Sequence, residues 1–393
     1  MKILFYSPHP TLYLEAPTGY GSHMRGMIQG FRDDGHTVEV LVMGKAPISG
    51  SINSNPKNFK SLVKKFIPKF IWRTLKEIQQ IRFDKHAANE LQHAVQKFNP
   101  DVVYERSAWM SKGSVDVLSN FNIKHVVEIN APFEEEVKSF ENAHSLIAFV
   151  GKNKLKHLLQ SASLVLPITS SLQTYLIERY QLNPSSCKVV PNAIEKEEIQ
   201  INASRVAEIK NEFKLSEGTV IGFVGSIFPY HGVERLIRGF SKLKKTGISI
   251  LIVGDGYLIP ELKKLANELG ISSCVHFTGS VPKEDIYNYI SAMDILTLPN
   301  TEWYCSPVKL FEYGLFRKII LAVNEAGVSD VMSNEEGLLF ENNDSAFQDA
   351  LLKAITDVDA LKIKALNFQQ KVLENHTWQA NAHKVLQHLN SRK

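Results

Sequence analysis

The chain has 393 residues, 44% of them hydrophobic and 22% charged, with a formal net charge of +4. That length suggests two domains, the composition is that of an ordinary globular protein, and no apolar stretch approaches the roughly 18 residues of a membrane span. Cys187, Cys274 and Cys305 are odd in number and widely spaced, so they form neither a disulfide framework nor a metal motif and fit a reducing, cytoplasmic setting.

The first element is KILFYS, residues 2–7, a buried strand closed by Pro8; its apolar run is too short for the core of a secretory signal. A helix over 22–34 follows, with Met24, Met27, Ile28 and Phe31 on one face. Strands are expected at 37–43, 101–105, 125–130 and 163–169, separated by helical patterns at 86–98, 111–120, 145–160 and 170–180. Alternating strand and helix implies a parallel sheet covered on both faces. The charged stretch 195–218 carries little core, which places a linker within 192–217. The pattern then restarts, with strands at 219–226, 248–254, 274–279, 294–299 and 318–323. Helices are expected at 232–245, 258–269, 284–292, 307–316 and 345–357, and a closing helix from His376 to Leu389. The expected architecture is α/β: two Rossmann-like, doubly wound lobes with a cleft between them. The first spans 1–195 and is completed by the closing helix, about 376–393; the second spans 205–375. Open sheets of this kind bind ligands beyond the carboxyl ends of their strands.

Residues after those strands carry the chemistry. Gly19-Tyr20-Gly21 precedes a helix, where two glycines let backbone amides approach a phosphate; a plain turn has the same composition. The spacing is not that of a dinucleotide fingerprint. In the second half, Gly225-Ser226 ends a strand and leads to His231-Gly232, a loop suited to a diphosphate, with His231 as a donor to a phosphate oxygen or simply a surface histidine. Gly254 follows the next strand, and Phe277 to Pro282 offers backbone groups to a base edge. The strongest local signal is Ser306-Pro307-Val308-Lys309-Leu310-Phe311-Glu312. Ser306 is expected as an N-cap and Pro307 as the first helical residue. Lys309 in that turn opposes the helix dipole, a conflict that a bound anion resolves. Glu312, between apolar neighbours, suits vicinal ribose hydroxyls, because a carboxylate accepts two hydrogen bonds from them.

Taken together, FVGSIFPYHGVERLIRGF, LIVGDGYLIPELKKLANELGI, VHFTGSVPKEDIYNYISAMDILTLP, SPVKLFEYG and GLLF resemble glycosyltransferase family 4, of the GT-B fold, over nearly all of 219–357. RDDGHTVEVL, VVPNAIEK and Trp378 extend the resemblance to the rest of the chain. The resemblance implies a metal-independent, cofactor-free, retaining transfer from a nucleoside-diphosphate sugar, UDP being the first guess, to a saccharide in surface polysaccharide assembly. It implies that Glu312 holds the ribose and the Val308 and Lys309 amides the diphosphate. Gly279 to Val281 would border the base, and Gly19 to Gly21 close on the phosphate. The chain also departs from the pattern. Tyr304 replaces the earlier of two glutamates, Ser226 the usual Arg, and His231 the usual Lys; Asn130 stands about where relatives carry a cleft histidine. Glu128 and Asn130 are candidate catalytic groups that orient acceptor or sugar, or alternatively strand-end residues with a structural task.

The first hundred residues hold 14 Lys and Arg against 7 Asp and Glu. The excess gathers in 57–78, where Phe59, Leu62, Phe66, Phe70, Ile71 and Leu75 share a helical face and Lys64, Lys65, Lys69 and Arg73 occupy the rest. That pattern is expected of a helix lying on an anionic membrane, peripheral at the inner face, with a polyprenyl-linked acceptor and Arg106 as an anion contact. The alternative packs the apolar face onto the first lobe. The stretch lacks any nucleic-acid module. Two rival functions remain open on sequence: a non-catalytic sugar-nucleotide-binding homologue, and a sugar-nucleotide epimerase on the same fold.

Overall fold

The structure is a computed structural model that describes residues 1–16, 18–46, 68–136, 145–195, 200–215, 218–243 and 246–391. The chain divides into two compact units, Met1–Val190 with Trp378–Lys393, and Pro191–Thr377.

The first unit carries β1 (Lys2–Ser7), β2 (Thr37–Val42), β3 (Val102–Arg106), β4 (Lys124–Ile129) and β5 (Leu164–Pro167), all parallel in the order β2-β1-β3-β4-β5. Strands β1, β3 and β4 are buried on both faces along nearly all their length, as a helix-covered parallel sheet requires. Its helices are α1 (Gly19–Asp33), α2 (Lys69–Phe98), α3 (Gly113–Leu118), α4 (Ala148–Ser161) and α5 (Ser170–Tyr180). The chain leaves β1 toward β2 on one side and returns to β3 on the other, so the switch point lies between β1 and β3. The last helix of the chain packs on α1, where the ring of Trp378 covers Gly26. A methyl group on Gly26 would lie 2.2 Å from Trp378 Nε1.

The second unit holds six parallel strands: β6 (Thr219–Val224), β7 (Ile248–Val253), β8 (Val275–Phe277), β9 (Ile295–Leu298), β10 (Ile319–Val323) and β11 (Leu338–Phe340), in the order β11-β10-β9-β6-β7-β8. Its switch point is between β6 and β9. Helices α6 (Ala203–Glu212), α7 (Val233–Ser241), α8 (Ile259–Glu268), α9 (Ile286–Ser291), α10 (Val308–Gly314), α11 (Ala326–Ser329), α12 (Asp344–Thr356) and α13 (Val358–Asn375) cover the two faces; α14 (Trp378–Asn390) is the closing helix of the first unit.

Three expectations are revised. The stretch read as a linker contains α6, whose Ile209 is fully buried, and Leu215 just beyond it; the chain passes between units at Val190–Pro191 instead. A few well-placed apolar residues anchor this charged segment. The helices at 57–78 and 86–98 become one described helix, α2, of 30 residues from Lys69. The third is α13, an unexpected helix that buries Leu361, Ala365, Phe368 and Val372 along one stripe. No helix among the described residues is long and apolar enough to cross a membrane.

Candidate functional site

In the second unit the loops at the carboxyl ends of β6, β7 and β8 are knitted together through glycine backbone. Gly225 N donates to the Val253 carbonyl at 2.9 Å, and Gly254 N donates to the Gly279 carbonyl at 3.1 Å. Gly225 and Gly254 have φ of 140° and 128°, a region closed to other residues, and a methyl group on Gly254 would meet the Gly225 carbonyl oxygen at 2.1 Å. Three of the expected donor-site glycines, Gly225, Gly254 and Gly279, are thus brought to one edge of this sheet. Val281, by contrast, turns its side chain onto the apolar core.

Beside them, across the switch point, comes the segment after β9. Its position is fixed from far away in sequence. Asn192 donates from its backbone amide to Ser306 Oγ (3.1 Å) and from Nδ2 to the Ser306 carbonyl (2.6 Å). The Val224 amide at the end of β6 donates to the hydroxyl of buried Tyr313 (2.9 Å), which pins α10. Ser306 is therefore not the N-cap expected of it: its hydroxyl is engaged by Asn192, α10 begins at Val308, and Pro307 precedes the helix. The amides of Val308 and Lys309 donate to no other described backbone group.

Lys309 holds its Nζ 4.6 Å from the centre of the Phe223 ring. A methyl group on Gly225 would strike that ammonium at 2.6 Å, so the glycine makes the room. Although the stem of Lys309 is partly exposed, Nζ is sealed from solvent and has no hydrogen-bond partner among the described residues. Burial pushes the ammonium down to about 8, opposed by the nearby Glu312 charge. Glu312, one turn on, makes no hydrogen bond or ion pair with a described residue; burial raises its carboxyl, against Lys309 and Lys283. His231 shares the Phe223 ring at 5.7 Å, and burial followed by the Lys309 charge pushes it down to about 3. Its Nδ1 is engaged with the Ser226 carbonyl at 2.5 Å. Tyr304, at the position of the earlier glutamate, is buried.

In the first unit Glu128 ends β4 and is 3% exposed. Its carboxylate accepts from His23 Nε2 (2.8 Å), from Arg106 Nη1 (2.7 Å), and from the Tyr104 hydroxyl and Asn130 Nδ2. Burial alone would raise the carboxyl, but His23 and Arg106, with hydrogen bonds from His23 and Asn130, hold it well below the usual carboxylate range. A group so saturated is a poor proton acceptor. Of the two roles open to Glu128 these contacts support the structural one, organising its neighbours, and Arg106 donates to Glu128 rather than facing solvent as an anion contact. Asn130 is anchored to the same carboxylate. His23 and Tyr104 were not anticipated from sequence. Gly19, Tyr20 and Gly21 form the first turn of α1 rather than a loop ahead of it. Gly21 is close-packed, since a methyl group there would lie 2.2 Å from the Ala16 carbonyl oxygen, whereas Gly19 faces open space. Arg25 folds the preceding loop onto this helix by donating to the Leu14 carbonyl at 2.6 Å.

Among the basic residues assigned to a membrane or acceptor, Lys64 and Lys65 lie outside the described residues, and Lys69 is exposed at the start of α2. Arg73 is corrected: it is buried and paired at 3.1 Å with Glu77, itself buried and also bound by Trp109 Nε1 at 2.9 Å. The burial order of the first α2 turns is inverted, with Phe70, Ile71, Trp72 and Leu75 exposed while Arg73, Thr74 and Glu77 point inward. Exposed Leu146 and Phe149 come from a neighbouring segment, tied to α2 by the Leu146 amide donating to Thr74 Oγ1 at 3.1 Å.

Two family models cover most of the chain: "Glycosyltransferase Family 4" matches residues 17–198 and "Glycosyl transferases group 1" matches residues 218–357. The chain belongs to the group 1 and family 4 glycosyltransferases. This glycosyltransferase is 24% identical over 292 residues to an uncharacterized glycosyltransferase of Methanocaldococcus jannaschii, covering 72% of the chain and 73% of that protein. Over 218 residues it is 26% identical to the N-acetylgalactosamine-N,N'-diacetylbacillosaminyl-diphospho-undecaprenol 4-alpha-N-acetylgalactosaminyltransferase of Campylobacter jejuni, covering 55% of the chain and 56% of that enzyme. The Anabaena protein HepE, solved in complex with UDP, superposes on the glycosyltransferase with a TM-score of 0.71 at 16% identity, over the full length of both chains. The fold is therefore GT-B, two Rossmann-like lobes.

Proposed function

We propose that this glycosyltransferase moves a sugar, with retention of anomeric configuration, from a nucleoside-diphosphate sugar to a saccharide or lipid-linked saccharide acceptor in surface glycan assembly. The observation that carries the reading is the Lys309 ammonium, sealed from water beside Gly225 with no partner among the described residues. A buried ammonium with no hydrogen-bond partner is costly, and a diphosphate supplies both acceptors and charge. The free Val308 and Lys309 amides add donors on the same side, and the unbonded Glu312 carboxylate is available to vicinal ribose hydroxyls. Gly279 to Val281 border the base in this reading. In this reading the leaving diphosphate takes the acceptor's proton. The protein holds and neutralises the diphosphate rather than supplying a nucleophile, and Asn130, anchored by Glu128, orients the sugar or acceptor.

The test is a thermal-shift screen of nucleoside diphosphates and their sugars, since a ligand of the folded state raises its melting temperature. It is followed by transfer assays that fix the anomeric configuration by NMR. Glu312→Gln should weaken donor binding by about tenfold or more, the worth of a charged hydrogen bond; unchanged donor affinity in that variant would remove Glu312 from the site. Binding with neither transfer nor hydrolysis would favour the non-catalytic alternative.

A membrane-surface acceptor is supported by the exposed apolar group Phe70, Ile71, Trp72, Leu75, Leu146 and Phe149 beside Lys69, and by the undecaprenol-linked substrate that the Campylobacter enzyme's name prints. Flotation with anionic vesicles tests it: the wild type should float, and Phe149→Ser with Leu75→Ser should not.

A further inference from the structure

His231 has one ring nitrogen committed. Its Nδ1 lies 2.5 Å from the Ser226 carbonyl oxygen, which only accepts, so Nδ1 carries the hydrogen. In the neutral ring Nε2 then holds a lone pair, which repels a phosphate oxygen. With a second proton on Nε2 the same ring donates to that oxygen and keeps its bond to Ser226.

The surroundings favour the neutral form while the site is empty. The imidazole packs among Phe223, Phe228 and Tyr230, with centroid distances of 5.7, 6.4 and 4.3 Å. The charged group that bears on it comes from α10: the Lys309 ammonium, seated on the same Phe223 ring. From the loop after β7, Tyr257 meets Phe228 at 6.2 Å rather than the imidazole. No carboxylate among the described residues forms an ion pair with His231. Two cations sharing one aromatic ring in an empty, partly dry site repel each other, and a diphosphate placed between them reverses the sign of that interaction.

Resting on the diphosphate site assigned above, we propose that nucleotide binding is coupled to protonation of His231. The ring is neutral in the empty protein, takes one proton from solvent as the diphosphate binds, donates from Nε2 to a phosphate oxygen, and returns the proton when the nucleotide leaves. The Nδ1 bond to Ser226 aims the ring and survives both states. His231 thereby serves as a cation present only when the ligand is.

The experiment is calorimetry of UDP binding at pH 6.0 in two buffers of different ionisation heat, which counts protons exchanged. His231→Gln is one comparison and His231→Lys, a permanent cation, is the other. Titration of the UDP phosphate itself is common to all three proteins and cancels in the differences. At pH 6.0 Lys309 is already charged, so it adds no uptake. The wild type should take up close to one proton more than either variant. Because the complex binds more protons than the free protein, wild-type affinity relative to His231→Lys should fall by up to about tenfold per unit as pH rises from 5.5 to 7. Equal proton counts in wild type and His231→Lys, with UDP still bound, would overturn the proposal and leave the site assignment standing. If UDP, GDP and ADP all fail to bind the wild type, the site assignment fails and this inference with it.

Discussion

Replacing Lys309 by methionine should stabilise the empty protein and disable donor binding together. Burial lowers the ammonium from an ordinary 10.5 to about 8, and a shift of that size corresponds to at most about 3.5 kcal/mol of folding free energy spent on keeping the charge, at roughly 1.4 kcal/mol per unit. Methionine keeps the stem against Phe223 and needs no counter-charge. A gain of about 1–3 kcal/mol is expected, or several degrees in melting temperature for a unit of this size. The sign with pH follows from linkage. The folded-state value lies below the unfolded one, so between about 8 and 10.5 the unfolded chain binds more protons, and wild-type stability recovers as pH rises through that window. The advantage of Lys309→Met should therefore be full below pH 8 and shrink above it. Affinity for UDP should drop about 10- to 100-fold, the worth of a charge-assisted contact. Thermal unfolding by circular dichroism at pH 7 and 10, with calorimetry of UDP at pH 7, measures each part. A variant less stable than wild type at pH 7, or one that binds UDP undiminished, would refute the reasoning.

Glu128→Gln should cost about 3–5 kcal/mol by leaving Arg106 buried without its counter-charge, measured by urea unfolding. It should also flatten the acid limb: Glu128 is held below its ordinary range, so its stabilisation is present above the unfolded carboxyl value and lost as pH falls below it. Arg73→Ala should destabilise by a similar amount because Glu77 would be left buried and uncompensated, while Lys69→Ala should stay within about 0.5 kcal/mol. Gly26→Ala should cost about 2 kcal/mol or more through collision with Trp378, and shift its fluorescence; Gly19→Ala, with open space at its Cβ, should leave urea stability unchanged.

Most strands could be read from the sequence because a parallel sheet covered on both faces demands near-continuous apolar runs, and those of β1, β6 and β7 are unmistakable. Strand β11 is three residues long and offers no such run. Helix α13 was missed although its buried stripe at 361, 365, 368 and 372 has helical spacing; weak overall apolarity hid it. At the site, Lys309 and Glu312 stood out because they break the local rules of their helix. What holds that helix did not stand out. Asn192 is 114 residues from Ser306, and Val224 is 89 from Tyr313; hydrogen bonds over such separations leave no periodicity. The same is true of His23, 105 residues from Glu128. Arg73 misled because a cation among lysines reads as solvated until its buried acid, four residues on, is seen to point inward with it.

The two units differ in how they hold buried charge. In the first unit Glu128 answers Arg106, Glu77 answers Arg73 and Asp84 answers Lys154, all within 3.1 Å. Glu77, through Trp109, and Asp84, through Ser111 and Gly113, also fix the loop beyond β3. In the second unit, at the switch point between β6 and β9, neither Lys309 Nζ nor Glu312 makes a hydrogen bond to a described residue, and burial with the Lys309 charge pushes the His231 imidazole down from its ordinary value. A fold stable by only about 5–15 kcal/mol does not keep such groups without return. In the proposed reading, a diphosphate with an attached ribose would supply an anion for Lys309 and hydroxyl donors for Glu312.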